Sequence, residues 1–264
     1  MARKMFTTLS IIGGLYVMIC LIAYLLQEKL IFLPEKLSDS YEFSFNIPFD
    51  EIYVKTTDDK RLHGLLFKTN ASKGLIFYLH GNAGSLASWG DVAEVYTAMG
   101  YDIFLLDYRG YGKSEGLIES EQQVYSDVQQ AYNQMLNHYT EQSIIVLGYS
   151  IGTGPASWLA SNNNPAMLIL QAPYFSLTDI AGRMFPFIPK ALVKYKFENY
   201  KHVQACKMPV VIFHGDDDEV IYTGSSEKLK DFLKPDDKLI ILPGVGHNGM
   251  TYDRTYNMEI GKIL

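Results

Sequence analysis

The chain opens on an uninterrupted apolar stretch and then changes rhythm. Residues 6–26, FTTLSIIGGLYVMICLIAYLL, carry no charge, and at 1.5 Å per helical residue they cover about 30 Å, the thickness of a bilayer core. Next, EIYVKTTDDKRLHGLLF alternates apolar and polar positions around Asp58, Asp59 and Lys60, the period of two that marks a half-buried hairpin. Farther on, the apolar positions gather into short continuous runs separated by longer amphipathic stretches. Strands are expected at 51–57, 61–67, 74–79, 101–107, 143–149, 167–171, 210–214 and 238–242. Helices are expected at 86–99, 119–137, 151–161 and 225–232. Continuous apolar strands alternating with helices imply a mostly parallel, eight-stranded sheet covered on both faces.

Composition adds limits rather than answers. Residues 29–264 suffice for one α/β domain with a sizeable core, so residues 1–28 read as a separate segment. A formal net charge of −6 argues against a nucleic-acid partner and against electrostatic adhesion to anionic lipid. The two cysteines, Cys20 and Cys206, make no disulfide framework. No metal-ligand motif and no phosphate-binding glycine loop is present, so no metal or cofactor is expected.

The terminal apolar segment is expected to stay on the mature chain as a single-pass signal-anchor. A cleaved signal peptide would have a shorter apolar region and a small-x-small cleavage site, and none follows before QEKLIF. Arg3 and Lys4 precede the segment, whereas Glu28 offsets Lys29 after it. That bias places the amino terminus inside and the remainder of the chain on the extracytoplasmic side.

Chemistry enters at Gly148-Tyr149-Ser150-Ile151-Gly152, between an apolar run and a stretch able to start a helix. A serine on such a strand-to-helix elbow is exposed above the carboxyl edge of a sheet. Its hydroxyl needs a histidine base, and the base needs a carboxylate to fix its tautomer. Downstream, Val210 to His214 runs into the acidic loop Asp216-Asp217-Asp218-Glu219, and LIILP runs into GVGHNG with His247. The expected triad is Ser150, Asp218 and His247. Asp218 is favoured because it precedes the apolar pair Val220 and Ile221, and Asp217 is the alternative. His63, His138 and His202 read as surface side chains, and His80 and His214 as structural hydrogen-bonding groups. The strand ending in HGNAG supplies an oxyanion donor, so the amides of Asn82 and Ile151 are the expected pair.

Taken together, GLIFYLHGNAGS, FLLDYRGYGKSEG, GYSIGTGPA, PVVIFHGDDDEVI and GVGHN resemble the α/β-hydrolase-domain serine hydrolases. The similarity is greatest to the membrane-anchored branch related to protein depalmitoylases and serine aminopeptidase-like hydrolases. It runs from about Leu30 to His247. It implies an α/β-hydrolase fold and acyl-enzyme chemistry, and it makes Asp107, Arg109 and Ser114 loop-structuring residues. The chain departs from the depalmitoylase branch in lacking a Cys-rich amino terminus.

One insertion, residues 175–207, separates the sixth and seventh strands and reads as a small cap. Its Met184, Phe185, Phe187 and Ile188 are candidates for the wall of an acyl-chain pocket or for plain core packing. The expected activity is hydrolysis of acyl esters or thioesters, on a small-molecule, lipid or acylated-protein substrate presented at the membrane. Peptidase activity of the aminopeptidase type is the enzymatic alternative, and a membrane-tethered scaffold or lipid-binding module the non-enzymatic one.

Overall fold

A computed structural model describes residues 2–264. Eight strands form one sheet: β1 (Phe49–Lys55), β2 (Arg61–Phe67), β3 (Leu75–Leu79), β4 (Asp102–Leu106), β5 (Ile144–Tyr149), β6 (Met167–Gln171), β7 (Val210–Gly215) and β8 (Lys238–Leu242). Across the sheet the order is β8-β7-β6-β5-β3-β4-β2-β1. β1 and β2 pair antiparallel with Lys55 opposite Arg61, β2 meets β4 antiparallel, and every other pairing is parallel. This is the mostly parallel sheet that the alternation of strands and helices implied, in the α/β-hydrolase arrangement that the motif resemblance implied.

The sheet is buried on both sides, and the pleat sorts its side chains. On β3, Leu75, Phe77 and Leu79 pack into one apolar cluster, while Ile76 and Tyr78 pack into the other. Such sorting leaves no polar position for alternation to reveal, which is why the central strands read as continuous apolar runs. Helices α2 (Glu121–Met135) and α3 (Thr153–Asn162) contribute Tyr132 and Ala156 to the first cluster. α2 begins where Ser120 accepts a hydrogen bond from the Gln123 N–H. The second cluster is closed by Tyr96 and by Tyr256 of α7 (Arg254–Ile260), whose hydroxyls are 2.8 Å apart. The helix expected at 86–99 is divided into Leu86–Trp89 and Ala93–Ala98 by a tighter turn at Gly90–Val92. Gly90 there lies under Phe45, where a Cβ would come within 2.2 Å of the ring.

The insertion is built from α4 (Leu177–Met184), a short turn at Lys190–Leu192, an extended stretch and α5 (Asn199–Ala205); α6 (Gly224–Lys230) follows β7. At the other end of the chain stands α1 (Ala2–Leu25), whose span Arg3–Leu25 is long and apolar enough to cross a membrane and is exposed along nearly all its length, Cys20 being buried. The chain leaves α1 through the short helix Gln27–Ile31 and clips onto the insertion. Gln27 donates to the Leu192 carbonyl at 2.6 Å and accepts from the Lys194 N–H at 2.9 Å. Glu28 pairs with Lys194 at 3.1 Å. Beyond it, Leu33–Pro34 forms a two-residue parallel pair with Ala83–Gly84.

Candidate active site

Ser150 sits at the junction of β5 and α3 with φ +52°, a left-handed backbone conformation that a side chain ordinarily avoids. Two close approaches hold it there. A Cβ on Gly148 would lie 2.5 Å from the Gly152 carbonyl oxygen, and a Cβ on Gly152 would lie 2.1 Å from that of Leu79. Glycine at both positions therefore lets α3 start hard against the ends of β5 and β3. The Thr153 hydroxyl donates to the Ser150 carbonyl at 2.6 Å, fixing the first turn.

Facing the elbow, His247 Nε2 lies 3.0 Å from Ser150 Oγ, and His247 Nδ1 lies 2.7 Å from Asp218 Oδ2. All three residues are nearly covered, at 6–8% exposure. Because a carboxylate only accepts, Nδ1 carries the proton and Nε2 presents its lone pair to the serine hydroxyl. Asp218 Oδ1 accepts from the Val220 and Ile221 N–H groups at 2.9 and 2.7 Å. His214 Nε2 adds a contact at 3.3 Å to Oδ2 while donating to the Ile221 carbonyl at 2.7 Å, and its Nδ1 meets Ser226 Oγ at 2.6 Å. Burial pushes the Asp218 carboxyl up, but hydrogen bonds from His214, His247 and the Ile221 N–H outweigh it and hold the group well below the usual carboxylate range. Asp217 is exposed, so it is Asp218 that the loop turns inward. The Tyr149 hydroxyl donates to the His247 carbonyl and pins the loop that carries the imidazole.

The loop after β3 that carries Asn82 is anchored by several bonds. His80 Nδ1–H donates to the Gly81 carbonyl at 2.7 Å. A trans peptide sets its N–H opposite its C=O, so this bond turns the Asn82 N–H away from His80. The Asn82 carbonyl accepts from Leu33 N–H at 2.9 Å and from the Tyr111 hydroxyl at 2.7 Å. The Tyr108 hydroxyl holds the His80 carbonyl at 3.0 Å, and the Tyr174 hydroxyl holds that of Ile151 at 3.1 Å. Hydrophobic patterning did not mark Tyr108 and Tyr111 as supports of this loop, or Tyr174 as a support of the elbow, because each reaches its partner from a distant part of the chain. The YRGYG pair of tyrosines was the signal available.

Three further residues of that motif brace the frame. Arg109 makes a two-pronged contact with Asp127 of α2 at 2.6 and 2.8 Å, and another with Asp58 of the hairpin turn at 2.7 and 2.6 Å. Ser114 Oγ donates to the Asp107 carbonyl at 2.7 Å and accepts from the His63 N–H at 2.8 Å. Asp107 is fully buried between His63 and His80, 3.8 and 3.5 Å from their rings. His63 thus corrects its expected surface placement. It has no exposure, stacks on Phe43 at 5.3 Å and meets Glu51 at 2.9 Å. The covering segment carrying Phe43 and Phe45 arrives from before β1, beyond the reach of local patterning.

Met184, Phe185 and Phe187 are 62, 53 and 82% exposed, and Ile188 is half-buried. None of the four lines the small apolar cavity of about 10 Å³ beside the elbow, little more than room for one water, which is walled by Phe32, Tyr108, Val124, Ile151, Pro155 and Phe197.

Comparison with known proteins agrees with this architecture. The model of the family described as serine aminopeptidase, S33, matches residues 70–201. The chain belongs to the serine aminopeptidase S33 family of α/β-hydrolases. The S33 match covers the HGNAG loop and the elbow and ends before Asp218 and His247. Protein L404 of Acanthamoeba polyphaga mimivirus, which bears an α/β-hydrolase name, is 30% identical over 249 residues, covering 90% of this chain and 92% of that one. Protein bem46 of Schizosaccharomyces pombe is 29% identical over 67% of this chain and 63% of its own. Among solved structures, the Pyrococcus furiosus esterase Pf2001 superposes with a TM-score of 0.68 at 18% identity, covering 89% of this chain and 97% of the esterase, a likeness of fold. The protein is accordingly a hydrolase of the S33 branch.

Proposed function

We propose that this hydrolase cleaves acyl esters or thioesters through a serine acyl-enzyme, with Ser150 as nucleophile, His247 as base and Asp218 as the group that orients it. The observation that carries the reading is the hydrogen-bonded line from Ser150 Oγ through His247 to Asp218, ending on a serine held at positive φ. In the first step Ser150 Oγ bonds to the carbonyl carbon and its proton passes to His247 Nε2. The oxyanion is received by the N–H groups of Asn82 and Ile151. Collapse expels the alcohol or thiol, which takes the proton from Nε2. Water then repeats the sequence on the acyl-enzyme and releases the acid.

The substrate is proposed to be lipophilic or presented at a membrane, with α1 as an uncleaved anchor and the hydrolase portion, residues 29–264, outside the cytoplasm. One feature supports this, the apolar length of α1. A buried methylene contributes about 0.8 kcal/mol, so kcat/KM should climb several-fold for every two carbons added for as long as the acyl chain finds apolar surface to cover. The family description favours a second reading, release of amino-terminal residues from peptides.

The test begins with a fluorophosphonate probe, which should label the full-length chain and not Ser150→Ala. Probe-reactive enzyme from the same preparation, left unlabelled, is then offered p-nitrophenyl esters of rising chain length, acyl thioesters and aminoacyl amides. Labelling that persists in Ser150→Ala overturns the nucleophile. Flat kcat/KM beyond four carbons, or faster turnover of aminoacyl amides, overturns the acyl reading in favour of the peptidase.

A further inference from the structure

The cap ends in an apolar tip. Between Arg183 and Lys190 the sequence is Met184-Phe185-Pro186-Phe187-Ile188-Pro189, without a charge, and its large side chains point largely into open space. An exposed cluster of this kind on an otherwise well-packed domain marks a contact surface. What it meets is indicated by its neighbour. The Tyr16 hydroxyl, on α1, donates to the Phe187 carbonyl at 2.9 Å. Tyr16 lies nine residues before Leu25, the last residue of α1, about 14 Å down the helix axis. The tip therefore reaches past the end of α1 and lies alongside its apolar flank.

A medium without water favours polar main-chain groups that are paired internally, and the N–H groups of Phe185 and Ile188 are so paired, whereas the Phe187 N–H has no partner among the described residues. Phe185 N–H donates to the Ala181 carbonyl at 2.8 Å, and Ile188 N–H to the Phe185 carbonyl at 2.9 Å. Pro186 and Pro189 carry no N–H, and the Phe187 carbonyl is taken by Tyr16. The flanking cations are directed back toward the body of the domain. Arg183 lies over the Tyr222 ring at 4.0 Å, and the Lys190 stem packs against Gly182. Long basic side chains that leave an apolar patch for its rim are typical of segments at a lipid interface.

We propose that the tip from Met184 to Pro189 is a second membrane contact, inserted among the lipid acyl chains beside α1. This rests on reading α1 as a membrane span. Its consequence is that the cap does not swing freely over the site. α1 holds it from one side through Tyr16, and α4 is tied to the Asp218-bearing loop through Asp179, which accepts from Tyr222 at 2.8 Å and from Lys228 at 2.7 Å. The lipid-facing cap is thus continuous with the wall of the site.

The test uses the full-length chain in phosphatidylcholine vesicles, with and without phospholipid brominated at mid-chain, and reads tryptophan emission above the background of Trp89 and Trp158. Three variants are compared: Phe187→Trp on the tip, Ile19→Trp on α1, and Tyr252→Trp on an exposed turn before α7. Brominated lipid should quench Phe187→Trp at least twofold, as it quenches Ile19→Trp, and leave Tyr252→Trp unchanged. Quenching of Ile19→Trp with Phe187→Trp behaving like Tyr252→Trp overturns the proposal and leaves the span intact. Absence of quenching at Ile19→Trp overturns the span and the proposal together.

Discussion

Ser150 and Gly152 show how much of the site is set by single atoms. No Cβ fits on Gly152 while the Leu79 and His80 carbonyl oxygens stay where they are. Gly152→Ala must therefore push the end of β3 away from the elbow, carrying Asn82 away from Ile151. Removing one oxyanion donor costs roughly 10²–10³-fold in rate, so kcat should fall by that order with KM little changed, measured on a soluble ester. Asp218→Asn should act differently. It leaves the shape intact but removes the group that fixes the His247 tautomer, for a loss of about 10⁴-fold in kcat. It also has a signature in stability. Because the folded carboxyl is held low, the stability it contributes is complete above about pH 4, the ordinary value in an unfolded chain, and is lost as pH falls through the lowered folded value. Acid unfolding followed by circular dichroism should be less steep below pH 4 in Asp218→Asn than in the parent chain. At this scale the sequence was informative where chemistry imposes order. Ser150 and His247 stand out by motif and chain position, and Asp218 by its place before Val220 and Ile221. His63 did not stand out, since what buries it is separated from it by the whole of β1.

Elements were legible where a face had to be apolar. The hairpin turn between β1 and β2 follows from alternation around Asp58, and the buried strands follow from unbroken apolar runs. The cap helices did not follow, because α4 and α5 are short and Pro-punctuated sequence separates them. The Leu33–Pro34 pairing was equally hidden, as two residues carry no period at all. Between elements, the Arg109 cluster is the strongest strut. Asp127 is buried, and Arg109 supplies two hydrogen bonds to it while reaching the hairpin turn with the rest of its guanidinium. Arg109→Met keeps much of the stem and strands the carboxylate. Breaking one side of a buried pair costs about 3–5 kcal/mol, so the melting temperature should drop by roughly 6–15 °C for a chain of this size. Calorimetry of the variant checks this, and Asp58→Asn, on the exposed side, should move it far less.

For the whole molecule, the anchoring of α1 has a direct readout. The full-length protein should remain with membranes after an alkaline carbonate wash and keep its own amino terminus on sequencing; a chain beginning beyond Tyr24 would show removal of a signal peptide instead. The small parallel pair at Leu33–Pro34 then takes on a larger meaning. Only the short helix Gln27–Ile31 and its flanking residues stand between the end of α1 and Leu33, whose N–H is bonded to the loop after β3 at Asn82. With about 1.5 Å gained per helical residue, that connection behaves as a spacer of fixed height rather than a tether. If α1 is kept as an anchor, a hydrolase mounted this way would search for its substrate in two dimensions. On the proposed acyl reading, its encounter rate would follow how densely acyl groups populate the surrounding lipid, and a molecule dissolved at the same overall concentration in the water above would be met far less often.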